Sequence, residues 1–249
     1  MRNILVIALC FLLGACSTKT QHMETAAPQE SSINLARIAK KNKLYGAAIR
    51  LYSEALELHP EDPVLLFEQG EVYALAGQCN RAEKQFAESS ISHADPAGIT
   101  KSLGRCFAKE ENFTKALNVL LKGEQYGADD PQYLNLLGTT YSFSGNTSRG
   151  KKALEKALEL APDDMEIKNN IAVVHIIEGK YDIAIQKLSR LLRRGYNTAR
   201  IRHNLALAYG LADKTEQAEK VYGIDLSSEQ IKQNLAWYRL IKQNKTTRN

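Results

Sequence analysis

The sequence predicts an all-α solenoid of six stacked helical hairpins closed by one further helix. Three observations carry that expectation. From about Ile33 onward the chain is rich in Ala, Leu, Glu, Lys and Gln, which are strong helix formers. No stretch alternates apolar and polar residues at the period of two that a strand requires. Small residues recur at an unbroken interval of 34: Ala36, Gly70, Gly104, Gly138, Ala172 and Ala206 form one column, and Ala48, Ala82, Ala116, Gly150, Ala184 and Ala218 a second.

Taken in order, the first element is an address. Arg2 opens onto the apolar run Ile4 to Leu13, which ends in Leu13-Gly14-Ala15-Cys16. A membrane-spanning helix needs about 20 apolar residues, so this run is too short and reads as a secretory leader, residues 1–15. Its ending resembles a bacterial lipobox, in which a dedicated peptidase cuts before a cysteine already diacylated on its thiol. The resemblance implies that Cys16 is the lipidation site and the first residue of the mature chain. Ser17 stands where an aspartate would favour inner-membrane retention, which implies an outer-membrane protein, lipid-anchored and facing the periplasm. Several acyl chains give a stable hold where one is marginal. Residues 16–32 carry Ser, Thr, Gln and Pro around a single aliphatic pair, Ala26-Ala27, too little apolar surface to offset the entropy of folding; they read as a lipidated tether. Loss of Arg2 with the leader leaves 32 basic and 28 acidic residues, a net charge of about +4 spread along the chain. With no dense Lys/Arg run and a periplasmic address, nucleic acid is excluded as a partner.

Residues 33–226 hold the repeats. Small side chains at a helix crossing let two backbones approach, and a bulky column, Tyr52, Phe86, Leu120, Leu154, Leu188 and Tyr222, fills the space beside them. A further column is aromatic at Tyr73, Phe107, Tyr141 and Tyr209, with Ala39 and His175 as departures. Gly77, Gly145 and Gly179 share the position where a left-handed residue can end the first helix of a hairpin. Five of the six prolines, Pro60, Pro63, Pro96, Pro131 and Pro162, sit between repeats, where a missing N–H does no harm. Residues 227–249 are cap and tail: a helix from Ser227 to Gln243 with Ile231, Leu235, Trp237 and Tyr238 would cover the last repeat, as solenoid ends require.

This spacing and these residue types resemble the tetratricopeptide repeat family over roughly residues 29–226, with the last repeat degenerate in its second helix. The resemblance implies a right-handed superhelix whose first helices line a concave groove for protein partners. Groove positions recur at intervals of four on those helices. The early stripe is basic, with Arg37 and Lys41 in the first repeat and Lys101, Arg105 and Lys109 in the third. The later stripe is apolar, with Phe143, then Val173 and Ile177, then Leu207 and Leu211, and Asn135, Asn169 and His203 beside them. A helix or extended segment with an apolar face and an acidic end would complement it. The alternative is that Ile177 and Leu211 pack on neighbouring helices and the basic stripe is solvated. Asn170 and Asn204 stand where many grooves of the family contact a peptide backbone, while Asn34, Glu68, Ser102 and Leu136 make the same column mixed.

No set of residues amounts to an active site. His175 with Glu178 lacks the second histidine of a metalloprotease helix and falls in the aromatic packing column. His59 and His93 share a repeat position, but no cysteine or carboxylate cluster completes a metal site. Asp129-Asp130 and Asp163-Asp164 precede first helices, where carboxylates cap N-termini. The expectation is a non-enzyme with no cofactor, no metal and no small-molecule substrate. Cys79 and Cys106 remain once the leader and Cys16 are accounted for, in an oxidising compartment. Antiparallel packing brings the start of one second helix near the end of the next first helix, so the two either form a disulfide or stay as buried small apolar groups. Arg190, Arg193 and Arg194 end a helix whose dipole favours them, and Arg200 and Arg202 follow; contact with head groups or peptidoglycan is the lesser reading.

Lipobox, tether, six repeats and the terminal segment Asp225-Leu226-Ser227-Ser228 through Asn234-Leu235-Ala236-Trp237-Tyr238 together resemble the TadD family, the tetratricopeptide lipoproteins of tight adherence (Flp) pilus assembly. The resemblance implies a pilotin-like assembly factor that binds the pilus secretin or another pilus component and meets the membrane through its N-terminal lipid. Tetratricopeptide pilotins of type IV pili and lipoprotein adaptors that recruit peptidoglycan hydrolases share the architecture.

Overall fold

The computed structural model describes residues 26–89 and 96–246, with side-chain surroundings for 31–89 and 96–241. The leader, Cys16 and His93 lie outside the described residues. Those described form thirteen helices and no strand. Six hairpins follow one another: α1 (Ala26–Lys41) with α2 (Tyr45–Leu58), α3 (Pro63–Leu75) with α4 (Cys79–Glu88), α5 (Pro96–Lys109) with α6 (Phe113–Gly127), α7 (Pro131–Phe143) with α8 (Thr147–Leu160), α9 (Met165–Ile177) with α10 (Tyr181–Arg193), and α11 (Ala199–Leu211) with α12 (Thr215–Tyr222). The thirteenth helix, α13 (Ser228–Thr246), closes the stack. No described helix is long and apolar enough to cross a membrane.

Helix α1 begins inside the segment expected to be a tether, so residues 26–32 are helical. Ala26, Ala27, Gln29 and Glu30 favour helix, and Pro28 falls in the first turn, where its missing N–H has no intrahelical acceptor to lose.

Both kinds of turn are built from the repeat. Within every hairpin one position has positive φ: Lys43 (61°), Gly77 (75°), Glu111 (58°), Gly145 (92°), Gly179 (78°) and Asp213 (60°). The N–H that follows it donates to the carbonyl five residues back, from Leu44 to Ala39, Gln78 to Tyr73, Asn112 to Phe107, Asn146 to Tyr141, Lys180 to His175 and Lys214 to Tyr209. These bonds recover carbonyls that the helix end leaves open. Between hairpins, Asp62, Asp130 and Asp164 cap α3, α7 and α9, each accepting from a backbone N–H at 2.8 Å.

The small and bulky columns face each other as expected. A Cβ on Gly70 would stand 2.9 Å from the Phe86 ring, one on Gly104 2.6 Å from Leu120, and one on Gly138 2.7 Å from Leu154. Ala36, Ala172 and Ala206 are buried at the same position, as are Tyr52, Leu188 and Tyr222 opposite them. Three of the aromatic-column rings carry a cation from the next helix: Arg81 lies 5.9 Å from the Tyr73 centroid, Lys115 4.2 Å from Phe107 and Arg149 5.9 Å from Tyr141. His175 is buried in that column.

At the end of the stack α13 lays Ile231, Leu235 and Tyr238 on α11 and α12. The Tyr238 and Tyr222 hydroxyls hydrogen-bond, and Gly210 leaves room for the Tyr238 ring. Trp237, expected to share in the cap, is exposed instead. One residue along a helix turns the side chain by about 100°, so Trp237 and Tyr238 cannot serve the same face.

Candidate functional site

The first helices of neighbouring hairpins touch, α3 with α5, α5 with α7, α7 with α9 and α9 with α11, and so form one continuous inner face. Four asparagines of the expected groove join across three of them. Asn204 Nδ2 donates to Asn169 Oδ1 at 2.9 Å, Asn169 Nδ2 to Asn170 Oδ1 at 3.2 Å, and Asn170 Nδ2 to Asn135 Oδ1 at 2.9 Å. Asn135 and Asn169 are buried, the latter 2% exposed, so their amides tie α7, α9 and α11 together. Asn170 and Asn204 are half-buried and bind through only part of their capacity, since an amide offers two donors and two acceptor lone pairs. They can read the N–H and C=O of an extended segment.

Towards the other end, a cleft of about 330 Å³ lies between α3 and α5, walled by Phe67, Glu71 and Leu75 on one side and Lys101, Arg105 and Lys109 on the other. The basic stripe is less free than the sequence alone suggests. Arg37 Nε donates to Glu68 at 3.0 Å, and Lys101 Nζ to Asp130 Oδ2 at 2.5 Å. Burial pushes the Asp130 carboxyl up, but the Lys101 ammonium and the N–H groups of Gln132 and Tyr133 outweigh it and hold the carboxyl below its usual value. Glu71 on the opposite wall is engaged by Lys40 at 2.9 Å. Arg105 and Lys109 are left as exposed cations with no ion pair among the described residues.

The apolar stripe divides. Leu211 is buried in the core shared with α12 and α13, so it packs there and offers nothing to a partner. Leu207 packs against the same core, and Val173 and Ile177 are half-buried. Phe143 is 51% exposed and stacks on Phe113 with ring centroids 5.2 Å apart. Phe113 was not expected: it opens a second helix, outside the columns that mark first-helix faces. His203 does not join the asparagine chain. Its ring lies 5.6 Å from that of Tyr222 and its Nε2 3.5 Å from Asp225, whose carboxylate Arg202 also holds. The Arg202 guanidinium keeps the Asp225 carboxyl below its usual value.

Cys79 and Cys106 are joined by a disulfide, with Cα atoms 5.6 Å apart, linking α4 to α5 behind the basic cleft. No group of three or more His, Cys, Asp or Glu among the described residues could hold a metal ion.

Sequence models of the tetratricopeptide repeat match residues 33–99 and 131–164, and with the stacked hairpins they define the class of fold: a solenoid of tetratricopeptide repeats. No curated protein matches the chain by sequence. The particular likenesses are to solved structures. A tetratricopeptide repeat protein from Parabacteroides merdae superposes with a TM-score of 0.68 at 17% identity, over 87% of each chain. The pilF protein of Pseudomonas aeruginosa superposes at 0.62 and 16% identity, over 84% of this chain and 96% of its own. YrrB, described as a tetratricopeptide protein with an unusual peptide-binding site, superposes at 0.54 and 18% identity, over 69% and 89%. At such identities the likeness is one of fold.

Proposed function

We propose that this chain is an outer-membrane lipoprotein scaffold for tight adherence (Flp) pilus biogenesis, a pilotin-like assembly factor that binds the secretin or another pilus component through its concave face. The observation that carries the proposal is the inner surface itself. Asn170 and Asn204 offer backbone-reading amides, the Phe113–Phe143 stack offers an apolar anchor, and Arg105 and Lys109 offer uncompensated positive charge. A short segment with an apolar side chain and an acidic end fits all three. The peptide-binding site of YrrB supports this mode of use. The lipobox at Cys16 supports the anchorage, and the terminal segment from Asp225 to Tyr238 supports the tight adherence system.

The shared fold of pilF favours one second reading, a pilotin of type IV pili, and the genes beside this one separate the two. The test is a pulldown of the acylated protein. A secretin is enriched by the natural chain and not by Phe143→Ala/Asn170→Ala/Asn204→Ala, and secretin multimers vanish when the gene is deleted. Intact multimers in the deletion strain refute the pilotin mechanism, and enrichment of peptidoglycan hydrolases instead makes the chain an adaptor for those enzymes.

A further inference from the structure

Away from the groove, between the second helices α8 and α10 and the flank of α9, lies a pocket of about 220 Å³. None of its residues belongs to the groove columns. Leu158, Ile171 and Leu191 supply an apolar lining, and Lys168, Lys187, Arg190 and Arg194 surround it; no carboxylate lines it. Lys168 comes within 3.8 Å of Asp163, whose side chain is fully exposed to water. Lys187, Arg190 and Arg194 make no ion pair among the described residues.

The helix dipole does not account for this set. The C-terminus of α10 favours Arg190 and Arg194. Lys187, however, lies mid-helix, and Lys168 is in the first turn of α9, where the dipole repels a cation. Four like charges around an apolar floor repel one another, and an anion placed among them relieves the repulsion. A simple anion would leave unused the apolar floor, which is formed by the half-buried Leu158 and by the edges of Ile171 and Leu191, whose remaining surface is packed in the core. An anionic amphiphile uses both.

We propose that the pocket between α8, α9 and α10 binds the phosphate-bearing head of an anionic membrane phospholipid, with the half-buried Leu158, over the edges of Ile171 and Leu191, receiving the first carbons of its acyl chains. Bound so, the lipid holds this flank of the solenoid against the bilayer and leaves the concave face open to a partner. The site depends neither on the pilus reading nor on a lipid at Cys16.

The test uses the mature chain, residues 16–249, carrying Cys16→Ala, so that neither the apolar leader nor an attached lipid contributes, with vesicles of phosphatidylcholine alone or doped with phosphatidylglycerol. Binding to the doped vesicles is expected, and Arg190→Gln/Arg194→Gln weakens it about thirtyfold, the effect of two cations at an anionic surface. Arg200→Gln, a cation outside the pocket, leaves it unchanged, and circular dichroism confirms that all variants remain helical. Equal binding by the double variant overturns the proposal, as does equal weakening by Arg200→Gln, which would mean diffuse attraction. Displacement by inorganic phosphate at the concentration of exposed lipid phosphate would make the ligand a free phosphate. Displacement by an acidic peptide on the same scale would make it a protein, and either result overturns the lipid assignment.

Discussion

One substitution made at two glycines has opposite signs in this fold. Replacing a helical glycine by alanine recovers about 1 kcal/mol of backbone entropy wherever the new Cβ has room. At Gly46, near the start of α2, nothing lies within 4 Å of an added Cβ. Gly46→Ala therefore stabilises by about 1 kcal/mol, and since about 1 kcal/mol moves the midpoint of a domain this size by about 2–4 °C, Tm rises by that much. At Gly138 the same atom would meet the Gly150 carbonyl oxygen at 2.8 Å and Leu154 Cγ at 2.7 Å. The Leu154 side chain can turn aside; the carbonyl is backbone, so α7 and α8 must separate. Overpacking of that kind costs about 3 kcal/mol, the upper part of its usual range. Against about 1 kcal/mol recovered, the net loss is about 2 kcal/mol and Tm falls by about 4–8 °C. Thermal melts followed by circular dichroism at 222 nm measure both. A Gly138→Ala protein as stable as the natural one would refute the argument that backbone contact at this crossing is why the column holds only small residues.

Three further outcomes follow from single features. Cys79→Ala/Cys106→Ala opens a cross-link spanning 27 residues of sequence, which lowers stability by about 3–4 kcal/mol in urea titrations; alkylation of both thiols in unreduced, denatured natural protein would count against the bond. Asn169→Ala empties a buried site and leaves the half-buried Asn170 and Asn204 each short of one partner, at a cost of about 1–3 kcal/mol, whereas Asn34→Ala, on the exposed side of α1, stays within about 0.5 kcal/mol; equal effects would mean the asparagine chain adds nothing. Burial, then the nearby Lys187, pushes the His175 imidazole below its ordinary pKa, while Glu178 pulls the other way. The unfolded chain then takes up a proton that the folded chain resists, so this contribution is complete above about pH 6.5 and is lost as pH falls from there towards the folded value. In His175→Phe, which matches the rings elsewhere in its column, that slope disappears from a urea series run across pH 5–8, and its persistence would assign it to another group.

How much of this could be read beforehand depends on where the cause of each feature lies. Columns of side chains were legible because the chain states each position six times, so Gly70, Gly104 and Gly138 could be set against Phe86, Leu120 and Leu154 with no knowledge of coordinates. The left-handed turn residues were half legible: Gly77, Gly145 and Gly179 declare themselves, and Lys43, Glu111 and Asp213 do so only when register is followed in place of residue type. The cations over the aromatic column had the same unused signal, since Arg81, Lys115 and Arg149 are themselves 34 apart. The groove was less legible. Arg37 finds Glu68, and Lys101 finds Asp130, on the next repeat, so reading one helix at a time overstates the free charge. Leu211 shares the groove spacing of Phe143, yet α12 and α13 cover it. That difference belongs to the end of the stack, where the repeat no longer describes the surroundings.

The opposite end makes the same point in reverse and yields a measurable contrast. Gln69, Leu103, Leu137, Ile171 and Leu205 occupy one repeat position, Val72, Cys106, Thr140, Val174 and Ala208 another, and all ten are no more than 8% exposed because the preceding hairpin lies over them. Leu35 and Ile38 hold those two positions in α1, and they are 51% and 54% exposed. Nothing among the described residues precedes α1 to cover them, whereas α13 covers the last hairpin. Val72→Ala therefore removes two fully buried methyl groups and costs about 2 kcal/mol, cavity included. Ile38→Ala removes more carbon from the equivalent position, yet, with half its surface already in water, it changes stability by about 0.5 kcal/mol or less. Parallel urea titrations decide between burial and position. If Ile38→Ala costs as much as Val72→Ala, α1 is covered in solution and the stack does not end where its first hairpin does.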